Sequence, residues 1–482
     1  MMYRTVIGLE IHAQLQTKTK AFCSCPADVF ELEPNTAICP VCTGQPGALP
    51  VLNENVVDFA VMAGLALNCT LNERSVFDRK NYFYPDLPKG YQITQYFFPI
   101  AENGYLDIEV GGVGKRVRIR RIHIEEDAGK MIHQGTDSIT GSTGSHLDLN
   151  RCGVPLIEIV TEPDLETPAQ AKVFMELLRD TLRALGVCSG DMEKGALRCD
   201  ANISMRDDAS GLSSNRVEVK NINSFKFVEK ALESEQERIS AVLDAGGNVA
   251  KETRSWNFAT KETFSMRSKE EENDYRYFPE PDLPVLMITQ DRIGRLRESL
   301  PELPWQKLRR FIEQYGLPEY DASVLSSSGE VACFYEEVAR ITGKPKESSN
   351  WIMGEVMRIM NERDLSIESL GLKPEYFKEL FEMIDSGRIS NSIAKEILPE
   401  VIERRNSPAS IVKEKGLEQI NDDGVIETAI REAMKSNPKA VQQFREGKEG
   451  VLGYFVGAVM KATRGKANPA RVNEIARRLL KD

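Results

Sequence analysis

The sequence predicts an α+β chain, with an N-terminal mixed-sheet domain followed by an all-helical domain and a small helical tail domain. Three observations carry that reading. Strand-like alternation recurs up to about residue 290, two long helical patterns interrupt it, and beyond "RLRESLPELPWQKLRR" helical periodicity takes over while strand signals almost vanish.

Taken in order, "RTVIGLEIHAQL", "KRVRIRRIHIEED", "PLIEIVTEP", "LRCDANISM" and "NRVEVKNI" alternate apolar and polar residues as half-buried strands do. "TPAQAKVFMELLRDTLRAL" opens on a Thr-Pro helix start, and "SFKFVEKALESEQERISAVLDAGG" stops on Gly-Gly. "YPDLPKGYQ" and "FPEPDLPVL" read as loops, because Pro cannot serve a central ladder. "ERRNSPASIVKEKGL" reads as a linker into the last helices, so the expected domains are 1–292, 293–406 and 407–482.

A chain of 482 residues with 41 % apolar and 28 % charged residues has the balance of an ordinary globular protein of several domains. The opening residues alternate rather than forming an apolar run, and nowhere do eighteen apolar residues follow one another, so neither a signal peptide nor a membrane span is expected and the expected compartment is the cytoplasm. The net charge of −11 argues against nucleic acid binding by the body of the chain. From Lys435 to Asp482, however, 11 Lys and Arg stand against 4 Asp and Glu, a local +7 that leaves −18 on the rest. A basic tail on an acidic body points to two different tasks.

Four of the nine cysteines fall within "FCSCPADVFELEPNTAICPVC". Cys23, Cys25, Cys39 and Cys42 form two thiol pairs spaced to share one tetrahedral ion, so a structural zinc is expected, the alternative being reduced cysteines without metal. Four thiolates leave zinc no open position, which makes such an ion structural and not catalytic. Oxygen and imidazole donors recur on the strands: Glu10 and His12, His123 and Glu125, then Asp148, Asn150, Glu158, Asp200 and Asn202, with the cation Arg151 among them. Carboxylates on several strands suit Mg²⁺ bound to nucleotide phosphates, and solvated strand faces are the alternative. "RKNYFYPDLPKGYQITQY" adds Lys80, Tyr82 and Lys89 on a Pro-rich loop, a pairing of cations and rings that suits a phosphate and a base. No G-x-x-x-x-G-K-S/T and no G-x-G-x-x-G after a strand is present, nor any G-x-S-x-G elbow. In the tail, "KATRGKANP" is a basic turn that suits an RNA backbone, with a solvated basic face as the alternative.

Together "GLEIHAQL", the "FCSC…CPVC" pair, "KNYFYPDLPKGYQITQ", "HIEEDAGK", "DLNRCGVPLIEIV", "CDANIS", "VEVKNINSF", "DYRYFPEPDLP" and the tail "GKANPARVNE" closely resemble the B-subunit family of bacterial aspartyl/glutamyl-tRNA amidotransferases, over essentially the whole chain. The resemblance implies a cradle domain, a helical domain and a tail. It also implies an ATP-dependent ligase that converts Glu-tRNA(Gln), or Asp-tRNA(Asn), to the amide through an acyl phosphate. Ammonia would come from a partner amidase (A) subunit, with a small C subunit completing a heterotrimer and the non-discriminating synthetase supplying the mischarged tRNA. On that resemblance Glu10, His12 and Glu125, with Glu158 and Asp200, become the expected Mg²⁺ ligands, and Lys80, Tyr82 and Lys89 the ATP contacts. Arg151 becomes a contact for phosphate or carboxylate, and Lys461, Arg464 and Lys466 become contacts for tRNA. The rival reading is a non-catalytic zinc-knuckle RNA-binding scaffold, which would need no carboxylates facing a cavity.

Overall fold

The computed structural model describes residues 3–134, 143–207, 211, 213–268, 275–418, 423–463 and 467–481. The chain forms two compact units, Met1–Pro304 and Trp305–Asp482.

The first unit holds every strand among the described residues. In chain order they are β1 (Arg4–Gln14), β2 (Thr70–Leu71), β3 (Arg74–Asn81), β4 (Tyr91–Phe98), β5 (Ala101–Val110), β6 (Val113–Glu126), β7 (Lys130–His133), β8 (Ser145–Asp148), β9 (Pro155–Thr161), β10 (Leu197–Arg206), β11 (Val217–Ile222), β12 (Glu252–Asn257), β13 (Glu262–Ser268), β14 (Phe278–Pro279) and β15 (Leu286–Met287). Nine of them make one mixed sheet in the order β13-β12-β11-β10-β1-β9-β6-β5-β2. Only β11 and β12 run parallel, and the first strand of the chain ends in the middle, between β10 and β9.

The alternation in β1 sets the two faces. Ile7, Leu9, Ile11 and Ala13 are buried on one side, which leaves Gly8, Glu10 and His12 on the other. The apolar side is covered by helices. α1 (Glu54–Ala66) packs on β5 and β6, while α2 (Pro168–Ala184) and α3 (Phe225–Asp244) pack on each other and on the sheet. Gln236 of α3 donates to Thr5 Oγ1 at 3.0 Å and Ser240 to Met205 Sδ at 3.4 Å, which fixes α3 over the odd-numbered side of β1. The expected start of α2 is realised: Thr167 caps it by accepting from Gln170 N, with Pro168 at the first helical position, where a missing N–H costs nothing. α4 (Gln290–Glu298), which spans residues 292 and 293, packs on α1 and binds Asp58 through Arg292 at 2.7 Å.

The polar face is overhung by a second small sheet, in which β3 pairs with β14, β15 and β4. β4 lies on β6, where Ile124 N donates to Gln95 Oε1 at 2.9 Å.

From Trp305 onward every named element among the described residues is helical, including a π turn at Ile352–Val356. Two apolar cores form there. One gathers Phe311, Tyr335, Trp351, Phe377, Leu398 and Val412, and the other Ile426, Ile430, Phe455, Val472 and Leu480. Among the described residues no helix is long and apolar enough to cross a membrane.

Candidate active site

Strand register assembles the site. His12 of β1 lies opposite Glu158 of β9, and Glu158 lies opposite His123 of β6, so an imidazole, a carboxylate and a second imidazole form a row across three strands. Glu158 Oε2 is 3.4 Å from His12 Nε2 and 3.3 Å from His123 Nε2. Glu125, two residues along β6 on the same face, closes the group with Oε1 3.6 Å from His12 and Oε2 3.7 Å from His123. Thr94 Oγ1 donates to Glu125 at 3.3 Å from the overhanging sheet.

Each of these groups shifts its neighbours toward the charged form. Burial disfavours an imidazolium, yet the hydrogen bond and charge of Glu158, with Glu125 behind it, raise the pKa of His12 above its ordinary value. His123 is raised in the same way, with burial overcome by the charge of Glu158 and by bonds from both carboxylates, against the opposing charge of Arg121. Burial would raise the two carboxyls, but Lys80 and His123 lower Glu125, and the two imidazoles take Glu158 well below its ordinary value. Lys80 reaches this centre from β3. Burial acts to lower it, and Glu125, Tyr277, Glu158 and Tyr275 outweigh that and raise it, while its ammonium sits 5.0 Å from the Tyr275 ring centre.

The next row of the sheet is Arg121, Val160, Glu10 and Asp200. Asn202 Nδ2 donates to Glu10 Oε1 at 3.0 Å, and Lys220 pairs with Asp200. Both rows form the floor of a cavity of about 850 Å³ whose walls include Lys80, Thr94, Tyr96, Tyr275 and Tyr277.

One ligand atom each from His12, Glu125 and Glu158 lies within 4.8 Å of the others, and His123 Nδ1 is a buried nitrogen without a hydrogen-bond partner. Carboxylate oxygens are the donors Mg²⁺ and Mn²⁺ take, and the imidazole nitrogen adds a donor that divalent transition metals accept. The donor set therefore fits one divalent cation. Of the five expected Mg²⁺ ligands the fold brings His12, Glu125 and Glu158 together and sets Glu10 and Asp200 in the adjoining row.

The other expected residues divide. Lys80 enters the cavity wall. Tyr82 stands behind that wall, edge-on to Tyr275 with ring centres 6.1 Å apart. Lys89 is turned away, pairing with Glu126 beside the cysteine knuckle. Arg151 binds the carbonyls of Ala128 and Gly129 at 3.0 and 2.8 Å and approaches Asp127 at 3.4 Å, an engagement within loops and away from the cavity. Asp148 and Asn150 hold the loop between the cysteine pairs, accepting from Asn35 N at 3.1 Å and Ala37 N at 2.8 Å. Lys461 is exposed near the end of the helix Leu452–Ala462, and Arg464 and Lys466 lie outside the described residues. Reasoning from sequence leaves Tyr275, Tyr277 and Lys220 unassigned, although the i, i+2 pair in "DYRYF" and the polar phase of "VEVKNI" carry a signal.

The cysteine knuckle stands apart from the cavity walls. The Sγ atoms of Cys23, Cys25, Cys39 and Cys42 lie within 4.8 Å of one another, with Cys39 and Cys42 3.8 Å apart. A tetrahedral zinc with Zn–S bonds of ~2.3 Å separates its sulfurs by ~3.8 Å, so these residues fit zinc. Cys39 N donates to Cys42 Sγ at 3.2 Å. Lys20, fully buried, lies 3.7 Å from the same sulfur and donates to Ala37 O at 2.7 Å. The Cys42 thiol is lowered chiefly by the hydrogen bond with Cys23; burial opposes this, and the Cys39 N–H and the charge of Lys20 add to the lowering. An ammonium at 0 % exposure has a reason to be there if the knuckle carries negative charge.

Both centres lie within residues 5–294, the stretch that matches the family model for the GatB/GatE catalytic domain, and residues 333–480 match that for the GatB domain. The chain belongs to the GatB family. Among its GatB relatives, the B subunit of the aspartyl/glutamyl-tRNA(Asn/Gln) amidotransferase of Thermotoga maritima is 61 % identical over 480 residues, covering 100 % of this chain and 99 % of its own. The corresponding B subunits of Pseudothermotoga lettingae and Thermodesulfovibrio yellowstonii are 59 % and 51 % identical, each with full coverage of both chains. GatB membership thus extends over both compact units.

Proposed function

We propose that this chain is the ligase subunit of a tRNA amidotransferase, acting on Glu-tRNA(Gln), Asp-tRNA(Asn) or both. A carboxylate is a poor acyl acceptor because its leaving group would be oxide. In this reading a side-chain carboxylate oxygen of the aminoacyl-tRNA attacks the γ-phosphorus of ATP and releases ADP. Ammonia then attacks the acyl carbon and expels phosphate, leaving the amide. The observation that carries the reading is the cluster of part-buried His12 with buried Glu125, Glu158 and His123 at the floor of a cavity large enough for a nucleotide beside an RNA end.

His12, Glu125 and Glu158 would hold the divalent cation, which when bound offsets charge on phosphate oxygens. Lys80 adds a fixed positive charge at the same place, and Glu10 and Asp200 are held by Asn202 and Lys220 in position to orient a ligand. Among the described residues the cavity walls offer no cysteine or Ser-His pair to free ammonia from glutamine. The relatives are named as B subunits, and a separate amidase subunit with a small third subunit is part of the proposal on that ground. The zinc knuckle is read as structural and the 407–482 tail as the RNA-contacting part. A scaffold without chemistry is the weaker reading, since it gives no reason to bury Glu125 at 3 % exposure beside two imidazoles.

The test is amidation of Glu-tRNA and Asp-tRNA, assayed separately, by the chain reconstituted with an amidase partner. Amide formation and ATP hydrolysis that both require the charged tRNA are the expected result. RNA binding with no nucleotide dependence would overturn the reading.

A further inference from the structure

The cavity has a feature that its carboxylate and imidazole floor does not explain. Along β6 the buried apolar residues are first odd-numbered, Val117 and Ile119, and then even-numbered, Ile122 and Ile124. The phase changes across Arg120 and Arg121, because β6 carries one extra residue there: Ile119 pairs with Thr161 of β9, and Arg121 already pairs with Val160. Arg120 is the bulged residue, and on β5 the facing Asn103 adopts a left-handed φ of 55°. Regular alternation would send two consecutive side chains to opposite faces. The bulge puts both Arg120 and Arg121 on the cavity wall.

Their guanidinium groups are poorly used by the protein itself. Arg120 is exposed and has no hydrogen-bond or ion-pair partner among the described residues. Arg121 lies over the Tyr96 ring at 5.2 Å and donates to Tyr96 O at 3.3 Å, while its buried Nε has no partner. Arg121 stands two residues from His123, about 7 Å along the strand at ~3.3 Å per residue. A third guanidinium, Arg216, also without a partner among the described residues, lines the cavity from the residue just before β11.

The geometry points to a phosphate-binding clamp formed by Arg120 and Arg121, one step along the sheet from the cation-binding cluster. Two adjacent guanidinium forks match the oxygens of a phosphodiester or polyphosphate, and burying an unpaired Nε is costly unless an acceptor arrives. The inference rests on the reading of the cavity as a nucleotide and tRNA site, and the phosphate has two sources there, the polyphosphate of ATP or the backbone of the RNA 3′ end.

The test measures binding of Mg-ATP, inorganic triphosphate and an acceptor-stem RNA hairpin to the full-length chain, comparing wild type with Arg120→Gln, Arg121→Gln and the double variant. Arg116→Gln serves as control, because Arg116 on the same strand is paired with Asp107 outside the cavity. The double variant is expected to bind Mg-ATP and triphosphate at least tenfold more weakly, with KM for ATP rising more than kcat falls. A loss confined to the hairpin supports the clamp with RNA as the source. Unchanged affinity for all three probes overturns it, even if amidation by the wild type upholds the functional reading. If the wild type does not amidate, the triphosphate arm still decides the clamp. Arg120→Gln alone removes an exposed group without partners, so its thermal midpoint should match the wild type, and a weaker affinity there cannot be misfolding.

Discussion

Two clusters in the first unit are each shaped to hold a metal ion, and they are built in opposite ways. The cysteine knuckle takes all four donors from residues 23 to 42 of one loop and closes on itself beside a buried lysine. The cavity cluster takes His12, His123, Glu125 and Glu158 from three strands far apart in the chain and leaves one side open. A closed set of thiolates serves to fix a loop, whereas an open set of carboxylates and imidazoles leaves room for a substrate to complete it.

The comparison breaks most sharply if the two sites are disabled in turn. Glu125→Gln or Glu158→Gln is expected to lower amidation roughly 10²- to 10³-fold with zinc content unchanged, the scale seen when one charge-stabilising group is lost. Equal activity at limiting Mg²⁺ would remove the cavity cluster from the chemistry. Cys42→Ser should do the reverse, taking zinc in the purified chain from about one per molecule to near zero and lowering the thermal midpoint by roughly 5–10 °C. Metal analysis and calorimetry on the same preparation check both halves, and a chelator-insensitive midpoint would demote the knuckle to a metal-free turn.

Alkali separates the clusters. His12 and His123 are raised above an ordinary value of 6.5, so in the metal-free chain their stabilising contribution is complete below that value and is lost as pH rises through the raised one. Glu125 and Glu158 are lowered from 4.5, so theirs is complete above that value and is lost as pH falls through the lowered one. Without divalent cation the midpoint of the first unit should therefore fall as pH rises above 6.5, and added Mg²⁺ or Mn²⁺ should flatten that fall. Knuckle thiolates bound to zinc should instead fail toward acid, with zinc released as pH drops. The smallest effect belongs to the tail. Lys461→Glu should reduce the slope of log affinity for tRNA against log salt by about 1, if the side chain meets a phosphate.

The same contrast decides which features are legible in the amino-acid sequence alone. Cysteine spacing is local, so the knuckle is legible from four positions. The Thr167-Pro168 helix start and the alternation of "GLEIHAQ" are legible for the same reason. Which strand lies beside which is not local, so the sequence offers Glu158 as a ligand without placing it between two imidazoles. Lys89 and Arg151 look equally suited to phosphate by residue type, yet the fold uses Lys89 on Glu126 and Arg151 on two loop carbonyls. The bulge at Arg120 leaves a mark in "RIRRIHI", where two arginines interrupt an alternation that is otherwise unbroken.

The central place of β1 has a consequence for how the chain is made. β1 leaves the ribosome before its sheet neighbours, and Asn202, which bonds to Glu10 across its edge, comes 192 residues later. At ~5–20 residues per second the strand waits ~10–40 s for that partner, with Ile7, Leu9 and Ile11 uncovered. A nascent chain halted near residue 190 should be cut readily by protease within its first strand, and one halted after β10 has cleared the exit tunnel should resist.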